Sequence, residues 1–192
     1  MNANLKKTLA GLGLSLLMPL AFAQYKALNV PQTIQEHSQW CWSASSKAII
    51  SYYKTPPSQC SIVNWAFGIN YACGNGTFNW SSYANQPNAL YGSGGSAQGV
   101  LANWGIGTNA YAYASSWNAI VSDINYNKPF MIRFGWSSGG GHIMVGTGYE
   151  VWNGGYYVLY MNPWPGEGNS EDSYNWMVSA SDHAWTHTLR VR

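Results

Sequence analysis

Charged side chains are scarce in this chain. Aspartate, glutamate, lysine and arginine together make up 8% of its 192 residues, against roughly 25% in an average globular protein. Lys6 and Lys7 lie at the extreme N-terminus, and the basic residues that follow them only balance the acidic ones. A neutral chain without a basic patch lacks the electrostatic footprint of a nucleic-acid-binding protein. We therefore expect no nucleic acid among its partners.

Long hydrophobic runs are also lacking. No segment reaches the roughly 20 apolar residues that a transmembrane helix needs. The N-terminus instead has the basic start MNANLKK, the short apolar run TLAGLGLSLLMPL and the sequence Ala21-Phe22-Ala23, which together are typical of a secretory signal peptide over 1–23. We predict export to the periplasm or the cell exterior, with one mature domain over 24–192. Because no cysteine follows the predicted cleavage site directly, we expect no lipid anchor and no stable membrane attachment.

Cysteine is rare, with Cys41, Cys60 and Cys73 as its only occurrences. An exported protein passes through an oxidising space, where two of three cysteines are expected to pair. Cys60 and Cys73 enclose a short loop, and we predict a disulfide between them. Cys41 is then unpaired, and the arithmetic leaves two interpretations open: a thiol that is inert or paired with another chain, and a nucleophile.

Aromatic residues, by contrast, are abundant. They make up 16% of the chain, with 11 tryptophans and 14 tyrosines. In a weakly charged exported protein they are consistent with aromatic packing in the core. An exposed aromatic surface could also bind a polymer. A non-catalytic, aromatic-rich binding module therefore remains an alternative to an enzyme.

The first half of the chain has a helical pattern. Apolar residues recur at spacings of three and four over 41–53, which predicts a helix that begins at Cys41, with Ser38 as a cap upstream. We predict further helices over 59–68 and 96–104. The segment 24–34 reads as extended, and 74–95 reads as a long surface loop.

The second half has a different period. Runs of β-branched and aromatic residues separated by turns predict strands over 129–136, 142–151, 156–163, 174–180 and 184–191. Asn153-Gly154-Gly155 is a tight hairpin signal between two of them. Helices followed by an antiparallel sheet predict an α+β fold, with a helical lobe over 24–105 and a β lobe over 106–192.

Cys41 stands where a helix begins, and this position has chemical consequences. The free N–H groups of the first turn and the helix dipole favour the thiolate, which is the nucleophilic form of cysteine. A thiolate nucleophile also needs a base, a group that orients the base, and donors for the oxyanion that develops.

Four histidines are candidates for the base, and His142 is the one we favour. His37 reads as a solvated loop residue, His183 as a surface residue in a turn, and His187 as a mid-strand residue explained by packing or exposure. His142 follows the glycines 139–141 and opens a strand. Three glycines let the backbone approach another group closely, and we expect that group to be a substrate chain.

Asn162 is the candidate orienting residue. It ends the strand that follows the hairpin turn, about three residues short of facing His142, and a bulge at Gly146 and Gly148 would absorb part of this offset. The alternative is an ordinary turn residue before Pro163. Gln35, in the segment that enters the first helix, is the candidate oxyanion donor.

Taken together, these motifs resemble papain-like cysteine peptidases, in particular a bacterial branch of leader-peptidase-like and avirulence-type enzymes. The likeness spans about 35–166 and rests on Gln35 followed by Ser38-Gln39-Trp40-Cys41-Trp42, Gln59-Cys60, Gly139-Gly140-Gly141-His142 and Asn162-Pro163-Trp164. It implies a papain-like two-lobe fold with Cys41 on the helical lobe and His142 and Asn162 on the β lobe. Papain also has an asparagine as the residue that corresponds to Asn162, whereas this branch often has an aspartate.

The resemblance and the residues together predict a secreted cysteine peptidase that acts on protein or peptide substrates. Cys41 is its nucleophile, His142 its base, Asn162 the orienting group and Gln35 an oxyanion donor. We expect no cofactor, and no metal because paired metal-ligand spacings are missing. Besides the binding module, a cell-wall peptide amidase with the same Cys/His chemistry remains an alternative.

Overall fold

The computed structural model describes residues 24–74 and 81–192, so the predicted signal peptide lies outside the described residues. Across these residues we find no helix with the length and apolar character needed to span a bilayer. The described residues form five helices, namely α1 (Cys41–Tyr53), α2 (Gln59–Phe67), α3 (Ala97–Asn103), α4 (Trp117–Asn125) and α5 (Tyr174–Val178). They also form seven strands, namely β1 (Gln24–Ala27), β2 (Thr108–Tyr111), β3 (Phe130–Trp136), β4 (His142–Trp152), β5 (Gly155–Asn162), β6 (Gly168–Ser173) and β7 (His183–Val191).

The strands form one antiparallel sheet in the order β2-β7-β3-β4-β5-β6. Strand β1 pairs with the second half of β4, beside the part of β4 that pairs with β3. The extended entry segment, which we grouped with the helical lobe, therefore begins as part of the sheet. The mixture of helices with an antiparallel sheet confirms the predicted α+β class.

Helix α1 packs on β4, and this contact creates the core between the helices and the sheet. Trp40, Trp42 and Ile49 are fully buried on the helical side, and Phe130 and Met144 are buried on the sheet side. Apolar burial on this scale contributes about 1.5–3 kcal/mol for each large side chain. The start of α1 and the start of β4 are therefore held together by the centre of the fold.

The three helices predicted in the first half are confirmed. Helix α1 has the predicted bounds, and α2 and α3 differ from the prediction only at their ends. Ser38 does not cap α1, because the helix begins after Trp40 without a side-chain cap and the Ser38 hydroxyl accepts a hydrogen bond from Asn85. Cys60 and Cys73 form the predicted disulfide, and Cys41 is free.

In the second half the hairpin and four strands are confirmed, but one strand is wrong. Asn153 and Gly154 take positive φ angles of 50° and 76° in the turn between β4 and β5, as a tight hairpin requires. The segment predicted as a strand over 174–180 instead forms α5. Ser173 caps it by accepting a hydrogen bond from the backbone N–H of Trp176, and so short an apolar run fits a strand or a helix equally well. The pattern also did not predict β2, α4 and β6.

Candidate active site

Cys41 is the first residue of α1, and its helix is fixed directly to β4. One turn further on, the buried hydroxyl of Ser45 donates a hydrogen bond of 2.9 Å to the carbonyl of Ile143. The Cys41 sulfur in turn lies within hydrogen-bonding reach of the backbone N–H groups of Ile143 and Trp42. Because Ile143 follows His142 directly, these contacts bring the sulfur to the start of β4, where the candidate base lies.

Burial decides the protonation of Cys41. It raises the pKa of the thiol above its ordinary value of 9.0, while the surrounding N–H groups and the charge of Arg133 lower it by less. We expected the helix start to favour the thiolate; desolvation of the charged sulfur is the larger effect here. Cys41 is therefore a neutral thiol at neutral pH, and it would have to lose its proton to a base to act as a nucleophile.

His142 is bonded to Asn162, and the contact fixes its tautomer. The Nε2 atom of His142 lies 2.7 Å from Oδ1 of Asn162, and the same oxygen accepts the backbone N–H of Trp164 at 3.0 Å. A peptide N–H needs an acceptor, so the amide oxygen rather than the nitrogen occupies this position. Nε2 therefore carries the proton, and Nδ1 of His142 keeps the lone pair that a base requires.

The hairpin register explains how Asn162 reaches His142. The pairing of β4 with β5 shifts between Gly146 and Gly148, with Thr147 as the extra residue. This is the bulge that the two glycines predicted.

Burial lowers the pKa of His142 below its ordinary value of 6.5, although the Asn162 hydrogen bond and the negative charge of Glu167 oppose this shift. The imidazole is thus in its basic form at neutral pH.

The glycines before His142 have a structural role that differs from our expectation. Gly139 and Gly140 take positive φ angles of 94° and 80°. A Cβ at Gly141 would collide with the carbonyl of Phe134 and press on the guanidinium of Arg133. The close approach is therefore to the neighbouring strand rather than to a substrate.

Arg133 contacts the segment 139–141 that precedes His142. Its Nη1 donates to the hydroxyl of Thr186 at 2.8 Å, and its Nη2 lies 3.4 Å from the carbonyl of Gly140. The guanidinium therefore connects the loop before His142 to β7, which limits the movement of the imidazole.

Cys41 and His142 both line one cavity of about 470 Å³. Asn162, Met144 and Tyr160 contribute to its lining. Much of the remainder is an aromatic wall, which we define as Phe134, Trp136, Trp164 and Trp176. A concave, largely apolar cavity with a few polar groups at one place is typical of a substrate site.

Gln35 lies beside this site, but its amide is engaged elsewhere in the structure. The backbone N–H of Gln35 donates to the carbonyl of Pro163 at 2.8 Å, which fixes its segment next to the end of β5. Its side-chain Nε2 donates to the carbonyls of His37 and Ser38 at 2.9 and 3.0 Å. Oε1 is buried and has no hydrogen-bond partner among the described residues. Gln35 is also absent from the described residues that line the cavity.

Comparison with known proteins shows which family the chain resembles. Residues 27–191 match the family described as Peptidase_C39 like. The chain belongs to the Peptidase_C39 like family. It is therefore a cysteine peptidase of the papain-like class, as its motifs predicted. A search of curated protein sequences gives no match.

Solved structures share the fold of this C39-like chain. One, described as a C39-like peptidase from Bacillus anthracis, has a TM-score of 0.58 at 12% identity and covers 88% of this chain and 98% of that chain. Another, a double glycine motif protease from an AMS/PCAT transporter in complex with the leader peptide, has a TM-score of 0.50 at 16% identity. It covers 86% of this chain and 94% of that chain. At these identities the likeness shows the fold alone.

The other histidines of the C39-like chain are held by packing or hydrogen bonds. His183, which we expected at the surface, is only 3% exposed and stacks on Phe134 at 3.9 Å. Its two ring nitrogens contact Asp182 and the carbonyl of Trp176. His187 packs against Tyr91, and His37 contacts Trp40 edge-on. Within the described ranges, no group of three or more His, Cys, Asp or Glu side chains could hold a metal ion.

Several residues of the site were not identified from the sequence. Ser45 lies four residues after Cys41 on the same helix face, a spacing that was visible beforehand. Arg133, Trp176 and Glu167 gave no such signal, because each reaches the site only through strand pairing or a later turn. The backbone N–H of Trp164, which fixes the Asn162 amide, is likewise invisible to side-chain motifs.

The raised pKa of Cys41 gives a direct spectroscopic prediction. Because burial raises the pKa above 9.0, the ultraviolet absorbance of the thiolate should be missing at neutral pH and should grow as the pH rises past that value. Cys41 is the free cysteine, so the Cys41→Ala protein serves as the blank in the same titration. A full thiolate signal at neutral pH would instead indicate a preformed thiolate–imidazolium pair.

Substitution of Asn162 should reduce activity only in part. We expect Asn162→Ala to lower kcat by about tenfold to a hundredfold, since the imidazole keeps its lone pair but loses the 2.7 Å contact that orients it. Asn162→Asp should retain more activity, because a carboxylate accepts the same bonds from His142 and Trp164. Steady-state kinetics with circular dichroism as a check on folding measures both. Equal activity in the Ala and Asp variants would contradict an orienting role.

Proposed function

We propose that the protein is an exported peptidase that hydrolyses peptide bonds through Cys41, His142 and Asn162. The observation that carries this proposal is the contact between Nε2 of His142 and Oδ1 of Asn162. It leaves Nδ1 as a free base in the cavity that Cys41 also lines. The family supplies the reaction class, and this contact supports the assignment of His142 and Asn162.

The reaction follows from the two protonation states. The Sγ–H proton of Cys41 moves to Nδ1 of His142 as the sulfur attacks the carbonyl carbon of the substrate. The protonated imidazole then gives this proton to the leaving amide nitrogen, the C–N bond breaks, and a thioester remains on Cys41. Water attacks the thioester and loses a proton to His142, which releases the carboxylate product and restores the thiol.

The oxyanion formed during the attack requires hydrogen-bond donors. The backbone N–H of Cys41 is suitable, because it belongs to the first turn of α1 and has no partner within the helix. We assign Gln35 as the second donor. Its Nε2 would exchange the bond to His37 or Ser38 for a bond to the substrate. The fixed position of its backbone beside Pro163 supports this assignment.

Replacing Gln35 should therefore affect turnover more than binding. We expect Gln35→Ala to lower kcat by about 10² to 10³, the usual cost of one oxyanion donor, with a smaller change in KM. Gln59→Ala is the matched control, because Gln59 holds the same segment by bonds to Ile34 and Glu36 and is not assigned as an oxyanion donor. It should lower thermal stability and leave most of kcat. An equal loss of kcat in both folded variants would indicate that Gln35 acts only through the segment.

Export is supported by the disulfide and by the predicted signal peptide. Disulfides such as Cys60–Cys73 form and persist in oxidising compartments. We infer a periplasmic or extracellular location, with protein or peptide substrates. The transporter protease of similar fold was solved in complex with the leader peptide, and we infer that the present cavity also takes a peptide.

The experiment that tests the function compares the wild type with Cys41→Ala on a peptide library derived from a proteome, with the products read by mass spectrometry. New peptide termini that appear only with the wild type are the expected result. Purified cell wall in parallel digestions separates the cell-wall amidase, which would release wall peptides and leave the library intact. If neither substrate is cut and an iodoacetamide or epoxysuccinyl probe does not label Cys41, the aromatic-rich binding module is favoured.

A further inference from the structure

The chain turns back over the active-site cavity directly after Asn162. The backbone N–H of Glu167 donates to the carbonyl of Trp164 at 3.1 Å, which closes a four-residue turn. Pro165 occupies its second position and Gly166, with a φ of 93°, its third, as a type II turn requires. This turn holds Trp164 and Glu167 together at the cavity that contains Cys41 and His142.

Glu167 is the permanent charge in this cavity. Among the described residues that line it, no other side chain is an aspartate, glutamate, lysine or arginine. The ion pairs found within residues 24–74 and 81–192 do not include Glu167. Its negative charge nevertheless acts on the site, because it raises the pKa of the His142 imidazole against the larger effect of burial.

The aromatic wall extends along the same cavity. Phe134 contacts Trp136 and Trp176 edge-on. The ring centre of His142 lies 6.4 Å from that of Trp136, in a stacked arrangement, and 6.2 Å from that of Trp164, edge-on. Tryptophan faces attract cations and also pack against the aliphatic stems of long cationic side chains. The cavity thus combines surfaces for an apolar stem with a carboxylate for its charged end.

We propose that Glu167 makes the enzyme select substrates with a cationic group beside the scissile bond, either a lysine or arginine side chain or a free amine. This inference rests on the proposed function. The stem of the substrate residue packs against the aromatic wall, and its charge pairs with Glu167. A neutral apolar residue would leave the carboxylate without a cationic partner, and an acidic residue would be repelled.

A set of matched peptides tests this selection. Each peptide carries lysine, arginine, norleucine or glutamate at one position, and the position is moved along both sides of the scissile bond. We expect kcat/KM for lysine and arginine to exceed that for norleucine by about tenfold at one position. The preference should weaken as salt is added, because Glu167 is exposed and salt screens exposed charges.

Two substitutions connect the preference to the carboxylate. Glu167→Gln should bring kcat/KM for the lysine peptide close to that for the norleucine peptide. Glu167→Lys should reverse the order in favour of the glutamate peptide. Glu171→Gln is the control: it removes the same charge from β6, lines a different cavity and should keep the preference for lysine.

Binding measured without turnover separates this proposal from the proposed function. Calorimetry with the Cys41→Ala protein should show tighter binding of the lysine peptide than of the norleucine peptide, and the difference should vanish when Glu167→Gln is added. Equal cleavage and equal binding of all peptides would overturn the charge selection and leave the peptidase intact. Selective binding without any cleavage by the wild type would overturn the peptidase function and leave the selection standing.

Discussion

The Cys41→Ala protein is expected to show no peptide hydrolysis by the covalent route. Cys41 is the free cysteine, it begins the helix fixed to β4, and its sulfur is the nucleophile of the proposed reaction. Without it no thioester forms, so single-turnover rates should fall by about 10⁴ or more. The fold should persist, since the substitution leaves the Ser45 bond and the buried Trp40 and Trp42 unchanged.

A thiol probe provides the control for this variant. Iodoacetamide should modify the wild type once, at Cys41, and block hydrolysis in proportion to labelling, while the Cys41→Ala protein should take up no label. Peptide mapping under non-reducing conditions should find Cys60 and Cys73 still bridged in both proteins. Hydrolysis at more than about a hundredth of the wild-type rate in the folded variant would mean that another group attacks the substrate.

Replacing His142 should have the second largest effect. The His142→Ala protein lacks the proposed base for a thiol whose pKa is raised, and general-base catalysis contributes about 10² to 10⁴ in rate. Free imidazole added to the assay should restore part of the activity, which a structural role alone would not allow. In the wild type, activity should fall only below pH 6.5, because burial lowers the pKa of His142 and only its neutral form accepts a proton.

His187→Ala is the matched control for His142. His187 lies in the middle of β7, is partly buried against Tyr91 and lines a different cavity, so its replacement should leave most of the activity. His183 is less suitable as a control because it is buried and its loss should lower stability. An inactive but folded His187→Ala protein beside an active His142→Ala protein would reverse the assignment of the base.

Several features of the site follow from local sequence. The helix that begins at Cys41 follows from apolar spacing, and the hairpin follows from Asn153 and the glycines after it. The bulge that brings Asn162 towards His142 follows from Gly146 and Gly148. Each depends on residues near one another in the chain, where spacing and backbone freedom decide the outcome. The α5 segment shows the limit of such patterns, since so short an apolar run fits a helix as well as a strand.

The sequence by itself determined the family, the α+β class, the disulfide and the residues available for chemistry. Only the tertiary structure decided the protonation of Cys41, the hydrogen bonds of Gln35 and the position of Glu167. The thiol pKa of Cys41 rises because packing of α1 on β4 removes water, and the Gln35 amide turns inward because the carbonyls of His37 and Ser38 face it. Glu167 joins the cavity because a turn after β5 brings it there. Desolvation and charge proximity depend on which distant segments meet, and local spacing carries no information about that.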